Sequence, residues 1–305
     1  QWPSSLFKEI SSDKNIQYLI QRIEDFFEDK FSYPCVLMPS GRAGLGAIFD
    51  YLKITRKDLS FVPRWSSHCI YNSIGAYSSI TDSFKSNPTI ALAVHKWGFI
   101  YHCPENYTNL VIEDSSDSIH LSGNSFFQNN NSNFEVISLP KIMGVVTGGV
   151  VVSKNNDFKD FVVKNRKKDL QFSLNQSELK WNIKSELQVW DSLEYKNKNI
   201  EYNDLSNIYL NLDKFEKNKK VINQRYEIVS KKLNIDYSFK NRLGPVLPID
   251  KKLFSADTDN RVMVRNFNFS TSLDDKKYRE SFIIPLHIGI DDDTFNHILS
   301  GVKRI

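Results

Sequence analysis

A single lysine, Lys141, falls in the joint between two apolar runs of VISLPKIMGVVTGGVVV, residues 136–152. Scarce water disfavours an ammonium, so this setting predicts a lysine with a lowered pKa. A neutral amine is a nucleophile and can form a Schiff base. The same placement also suits a lysine whose stem is buried and whose charge reaches water. A second candidate, Asp114, closes the apolar run of VIEDSSD. Acids are rarely buried without a partner. A carboxylate at that point can pair with a protonated ring nitrogen of a cofactor, or cap the next helix. The third candidate is the turn SGRAGL, Ser40 to Leu45. An apolar run enters it and a helical pattern leaves it, so backbone N–H groups and the helix dipole can receive an anion there. Ser40 adds a hydroxyl and Arg42 a charge-assisted contact. A plain helix cap by Ser40 satisfies the same pattern.

An anion-binding turn, a strand-end acid and an apolar-flanked lysine, in this order, are what pyridoxal phosphate needs. The turn holds the phosphate, the acid keeps the pyridine nitrogen protonated, and the lysine carries the aldehyde.

The elements that must position these residues follow from periodicity. In NIQYLIQRIEDFFEDKF, Ile16, Leu19, Ile20, Ile23, Phe26 and Phe27 share one face of an amphipathic helix. CVLM, LSFVP, TIALAVH, NLVIED, VISL and GGVVVS read as strands, and the first leads into a helix through Leu45, Ile48, Phe49 and Leu52. HCIYNSIGAY is a further helix. Strands alternating with helices predict an α/β layer fold with a largely parallel sheet, which binds ligands beyond the strand ends. The character changes near Asn155, where two long charged helical stretches begin, followed by strand, strand and helix. We expect a large cofactor-binding domain over residues 1–154. Residues 155–305 should form the interdomain helices and a smaller C-terminal α+β domain.

Composition sets the outer limits. The chain has 305 residues, 40% apolar and 25% charged, enough to bury a core without staples. Cys35, Cys69 and Cys103 match no metal or CxxC spacing and are expected to be reduced, in a cytoplasmic protein. No signal peptide or long apolar run is read, so no membrane contact is expected. The net charge is +4, and its clusters KNRKK and KNKK have acidic neighbours at helical spacing. They read as solvated helix faces rather than a nucleic-acid footprint. No GxGxxG or GxxxxGK[ST] loop is present, which disfavours nicotinamide and nucleoside-triphosphate chemistry.

From Pro34 to the C-terminus the chain resembles the DegT/DnrJ/StrS family of fold-type-I pyridoxal-phosphate enzymes, mostly nucleotide-sugar aminotransferases. SGRAGL resembles the family's SGTxAL, with Arg42 in place of Thr. VPRWSSHCIYNSI resembles its VPxxxxxAxxNAI region. Asn72 fits there, but the ring-stacking aromatic falls on Ser67, so Trp65 or His68 must take that task. VHKWG, at His95, resembles VxHxxG. VIEDSSD resembles VIEDAAQ, which puts Asp114 on the pyridine nitrogen and Asp117 where a Gln stands near the phenolic oxygen. Ser138, Lys141, Gly148 and Gly149 fit the Ser-Phe, catalytic Lys and Gly-Gly set, with the Ser-to-Lys spacing two residues short and Thr147 for Glu. NIEYNDL resembles NYRMSDL, so Asn199 matches the Asn that reaches the neighbouring subunit's cofactor phosphate, while Glu201 replaces an Arg.

The resemblance implies an aminotransferase in which Lys141 holds the cofactor as an internal aldimine. Glutamate donates the amine and a keto-sugar on a nucleotide carrier accepts it, within a homodimer with shared sites, for surface polysaccharide or O-antigen sugars. The alternative is a family member with decayed catalysis that binds a sugar nucleotide or a partner.

Overall fold

In the computed structural model of the chain the described residues are 16–120, 127–168, 200, 202–236, 242–256, 262–270, 272–273 and 278–305. Helix α1 (Ile16–Phe31) buries Leu19, Ile20, Ile23 and Phe27, the face that its spacing predicts. Then follow β1 (Cys35–Met38), α2 (Gly41–Tyr51), β2 (Leu59–Phe61), α3 (His68–Gly75), β3 (Ser79–Thr81), β4 (Ile90–Val94) and β5 (Leu110–Asp114). After these come β6 (Ile119–His120), β7 (Ser132–Ser138), α4 (Leu139–Met143), β8 (Gly149–Ser153) and α5 (Asn156–Lys168). The later helices are α6 (Tyr202–Leu210), α7 (Leu212–Leu233) and α8 (Asp292–Ser300). Among them lie β9 (Arg242–Leu243), β10 (Val246–Asp250), β11 (Phe254–Ala256), β12 (Met263–Asn268), β13 (Tyr278–Pro285) and, last, β14 (Val302–Arg304).

Seven strands form the central sheet, in the order β1-β8-β7-β5-β4-β2-β3. It is parallel from β7 through β3, and β8 runs antiparallel to both β1 and β7. Both faces are covered, which is why IALAV of β4 is apolar and buried at every position. Val36, Met38, Val94, Ile112 and Val151 pack on one face with α2, α3 and α5. Cys35, Leu37, Ile137, Val150 and Val152 pack on the other with α1, α6 and α7. The fold is therefore α/β with a mostly parallel sheet between helical layers, as the alternation of strands and helices predicts.

The outer edge of β1 is closed by side chains. Glu24 and Glu28, one turn apart on α1, accept the Leu37 and Cys35 amides at 2.9 Å each. Lys159 of α5 balances the pair, with Nζ 2.6 Å from Glu28. Unpaired edge amides invite other chains, and this arrangement removes two of them.

Towards the C-terminus, β10, β13 and β12 form an antiparallel sheet. Leu247, Ile249, Phe282 and Ile284 join it to the main core, and polar contacts add to this. Arg225 of α7 donates to the His287 and Ile290 carbonyls at 2.6 and 3.0 Å and pairs with Asp292 at the start of α8. The second long helical stretch of the sequence, LSNIYLNLDKFEKNKKVINQRYEIVSKKL, residues 205–233, is in fact two helices, broken at Asn211, whose side-chain amide donates to the Asn207 carbonyl at 2.6 Å. Asn competes for backbone partners, which explains the break. Lys217 and Lys219 of the KNKK cluster pair with Asp213 and Glu216 on α7, a solvated helix face. None of the three cysteines forms a disulfide. No described helix is long and apolar enough to cross a membrane.

Candidate active site

The C-terminal ends of β1, β4, β5 and β7 reach one rim of the sheet. Register aligns Asp114 of β5 with Val94 of β4 and Val136 of β7, and Gly149 with both Met38 and Ser138. The turn after β1, the acid closing β5 and the helix after β7 therefore converge.

Ser40 is the N-cap of α2, its Oγ accepting the Ala43 amide at 3.1 Å. The cap fixes the start of the helix, whose dipole faces the rim. Arg42 sits half-buried in that first turn. The Gly pair explains itself by close approach. A Cβ on Gly149 would lie 2.6 Å from the Gly41 nitrogen, and one on Gly41 would lie 3.3 Å from Ser116 Oγ. Gly148 has φ 107°, in the region that favours glycine. Thr147 donates to the Pro39 carbonyl at 2.6 Å and the Gly148 amide donates to the same oxygen at 2.8 Å. The entry to β8 is thereby tied to the turn after β1.

Lys141 lies on α4, a one-turn helix rather than a bare joint between strands, with Ser138 buried at its N-cap position. Asn218 of α7, fully buried, donates to the Ile142 carbonyl at 2.6 Å and accepts the Ile288 amide at 3.2 Å. It holds α4 in place from the far side. Lys141 Nζ is 2.7 Å from Asp117 Oδ1. This corrects the expected lowered pKa. Burial pushes the ammonium down, but Asp117, supported by Asp114, outweighs it and holds the group above its ordinary value.

Asp114 is 2% exposed and accepts the Ser116 amide at 2.9 Å. Burial pushes its carboxyl up, against the Ser116 hydrogen bonds and the Lys141 charge. Among the described residues it has no ion pair, a costly state for a carboxylate. A protonated ring nitrogen would supply the missing cation. With the helix start and the Lys141 amine on the same rim, the residues present fit pyridoxal phosphate.

The ring-stacking candidates separate. Trp65 packs against Tyr101, ring centres 4.9 Å apart, with its indole N–H buried and unbonded. His68 is exposed at the start of α3, 3.2 Å from Asn72 Nδ2. Ser67 contacts Cys69 Sγ at 3.0 Å, and Cys69 is near enough for its charge to act on Lys141. Asn199 and Glu201 lie outside the described residues.

Periodicity and motif reading missed two features. Lys96, just past β4, feels the charges of both Lys141 and Asp117. Beneath Asp114, a buried polar network joins β5, β7 and β9 to the turn after β4. The Tyr101 amide donates to His95 Nδ1 at 3.1 Å, so the proton on Nε2 points to Glu113, 3.0 Å away. Arg242 of β9 donates to both oxygens of Glu135 and to Ser115, and lies 3.5 Å from Glu113. Burial pushes Glu113 up, but the His95 hydrogen bond and the Arg242 charge bring it down to about 2, while burial keeps Glu135 raised. The only sequence signal was the acid pattern itself: Glu113 and Glu135 face each other across β5 and β7.

Comparisons with known proteins bear on the fold and the family. No curated protein matches the chain by sequence. A Streptococcus pneumoniae protein described as a "putative sugar aminotransferase", in its apo form, superposes with TM-score 0.64 at 11% identity, over 99% of this chain and 96% of that one. The same protein has been solved in its pyridoxal-phosphate and pyridoxamine-phosphate forms. An aminotransferase from Psychrobacter cryohalolentis superposes with TM-score 0.60 at 12% identity over 98% of each chain, and TlmJ from Streptoalloteichus hindustanus with 0.60 at 12% over 93% and 89%. These likenesses show the fold. The model of one family matches residues 23–305, nearly all of the chain. The chain therefore belongs to the family described as "Putative PLP-dependent aminotransferase", whose cofactor is pyridoxal phosphate.

Proposed function

We propose that this aminotransferase moves an amino group from glutamate to a keto-sugar on a nucleotide carrier, as members of the DegT/DnrJ/StrS group do. The observation that carries the reading is the meeting, on one rim, of the capped α2 start, the unpaired buried Asp114 and the Asp117-held Lys141. When bound, pyridoxal phosphate supplies an electron sink for the carbon that loses its proton. The start of α2, with Ser40, Gly41 and Arg42, holds the phosphate. Asp114 keeps a proton on the ring nitrogen. Lys141 Nζ, once free, takes the proton from the substrate carbon and returns it as general acid. Asp117 holds Lys141 charged until it is needed and then faces the cofactor's phenolic oxygen. Trp65 or His68 flanks the ring, and Ser138 and Asn199 complete the phosphate contacts, Asn199 from the neighbouring subunit of a homodimer. In the same reading residues 1–154 bind the cofactor, and the product enters surface polysaccharide in the cytoplasm. The sugar acceptor is supported by the pneumococcal neighbour described as a sugar aminotransferase.

The test is the visible spectrum of the purified protein with pyridoxal phosphate, before and after glutamate, for wild type and Lys141→Ala. A band that shifts with glutamate in wild type alone is the expected result, with Lys141→Ala folded but unable to transaminate. Turnover by Lys141→Ala would overturn the role of the lysine. No band in wild type would favour the decayed, binding-only alternative.

A further inference from the structure

Lys96 is a second lysine on the rim, and the fold holds it there firmly. The His95 amide donates to the Asp114 carbonyl at 2.8 Å, so parallel pairing continues past β4 and delivers Lys96 beside the end of β5. The turn that follows is closely packed. Trp97 has φ 55° and Gly98 has φ 88°. Both are pressed on Leu243 and Gly244, since a Cβ on Gly98 would lie 2.6 Å from the Gly244 nitrogen. The Trp97 indole stacks on Phe267 at 5.3 Å with an 11° tilt, and Lys96 Nζ sits over that indole, 4.7 Å from its centre.

This ammonium is half-buried and makes no ion pair or side-chain hydrogen bond among the described residues. An aromatic face stabilises a cation without using its N–H donors. Three donors therefore remain for an anion. Burial makes the charge harder to keep, and the attraction of Asp117, though it exceeds the repulsion of Lys141, does not make up for it. An arriving anion would relieve that state.

The charges around it point to the anion's chemistry. An amino-acid donor brings a carboxylate to a rim that already carries Asp114 and Asp117, both of which repel it. Lys141 cannot serve as a lasting counter-ion, because its nitrogen is committed to the cofactor or to proton transfer. A single ammonium on an indole suits one carboxylate, whereas a diphosphate bears its charge on two groups and calls for more than one cation. We propose that Lys96 is the carboxylate-binding residue of this site and holds a carboxylate of the amino-acid donor. The assignment rests on the aminotransferase reading above and names the group that receives its first substrate.

The experiment uses the cofactor-loaded full chain as wild type, Lys96→Gln and Lys96→Arg. Glutarate, a dicarboxylate without an amine, is titrated by calorimetry, uridine diphosphate is titrated in parallel, and the cofactor band is recorded for each protein. A charge-assisted hydrogen bond contributes enough for glutarate affinity to fall about tenfold or more in Lys96→Gln. Lys96→Arg should recover it to within about threefold. The cofactor band and the uridine diphosphate affinity should not change. Equal glutarate affinity in wild type and Lys96→Gln would overturn the assignment, as would wild type binding no glutarate. Loss of uridine diphosphate binding instead would move Lys96 to the acceptor's phosphates, and loss of the cofactor band in Lys96→Gln would make it a cofactor ligand; either overturns the carboxylate role. No band in wild type would overturn the aminotransferase reading itself, a result distinct from equal affinities on loaded proteins.

Discussion

Asp117 decides the charge on Lys141. Its carboxylate lies 2.7 Å from Nζ, and its attraction exceeds the burial that would otherwise make the amine neutral. Asp117→Asn removes the attraction and leaves the burial. More of the amine is then neutral at a given pH, so cofactor uptake should quicken near pH 7 and its pH midpoint should move to lower pH. Stopped-flow recording of the cofactor band across pH checks this, and an unmoved midpoint would show that another group holds the charge. The sequence placed Asp114, Asp117 and Lys141 in one site by motif order. It mistook the sign of the shift at Lys141, because apolar neighbours in the chain say nothing about an acid brought in by the turn after β5.

The elements meet where glycine lets backbones touch. Gly149 opens β8 against the Ser40–Gly41 peptide, and a Cβ there would lie 2.6 Å from two backbone atoms that cannot swing aside. Gly149→Ala should therefore cost about 1–3 kcal/mol through overpacking. It should also weaken cofactor binding by displacing the start of α2. Urea unfolding and a cofactor titration on one preparation check both effects, and a variant as stable as wild type would refute the close approach. The strands that carry the site, β1, β4, β5, β7 and β8, were legible as apolar runs bounded by turns. The short strands β3, β6, β9, β11 and β14 span two or three residues each, too few for a period of two to declare itself.

Across the whole molecule, buried titratable groups make stability depend on pH. His287 is pushed down to about 4 and His120 to about 3, in each case chiefly by burial. The unfolded chain takes these protons near pH 6.5, while the folded chain resists them. Stability should therefore fall as pH drops below about 6.5, until the folded values are reached. Glu113, held at about 2 when folded, acts in the same direction lower down. Its contribution is present above the unfolded value of about 4.3 and is lost as pH falls toward 2. His287 accepts the Gly289 amide at Nδ1, 3.0 Å away, a bond that Asn can reproduce. His287→Asn should flatten the loss between pH 6.5 and 4 by up to roughly 1.4 kcal/mol per pH unit. Denaturant midpoints at several pH values measure it, and an unchanged slope would place the proton uptake elsewhere.

By itself the sequence determined the α/β alternation, the order of turn, acid and lysine, and through them the cofactor class. These are local signals, because strand and helix burial repeat every few residues and a motif is read in line. Only the tertiary structure decided that Lys141 keeps its charge, that Arg242 reaches across 129 positions to Glu113, and that Lys96 stands on the same rim. Charges act through distance in space, which strand register and helix packing set, and no local period in the chain records that distance.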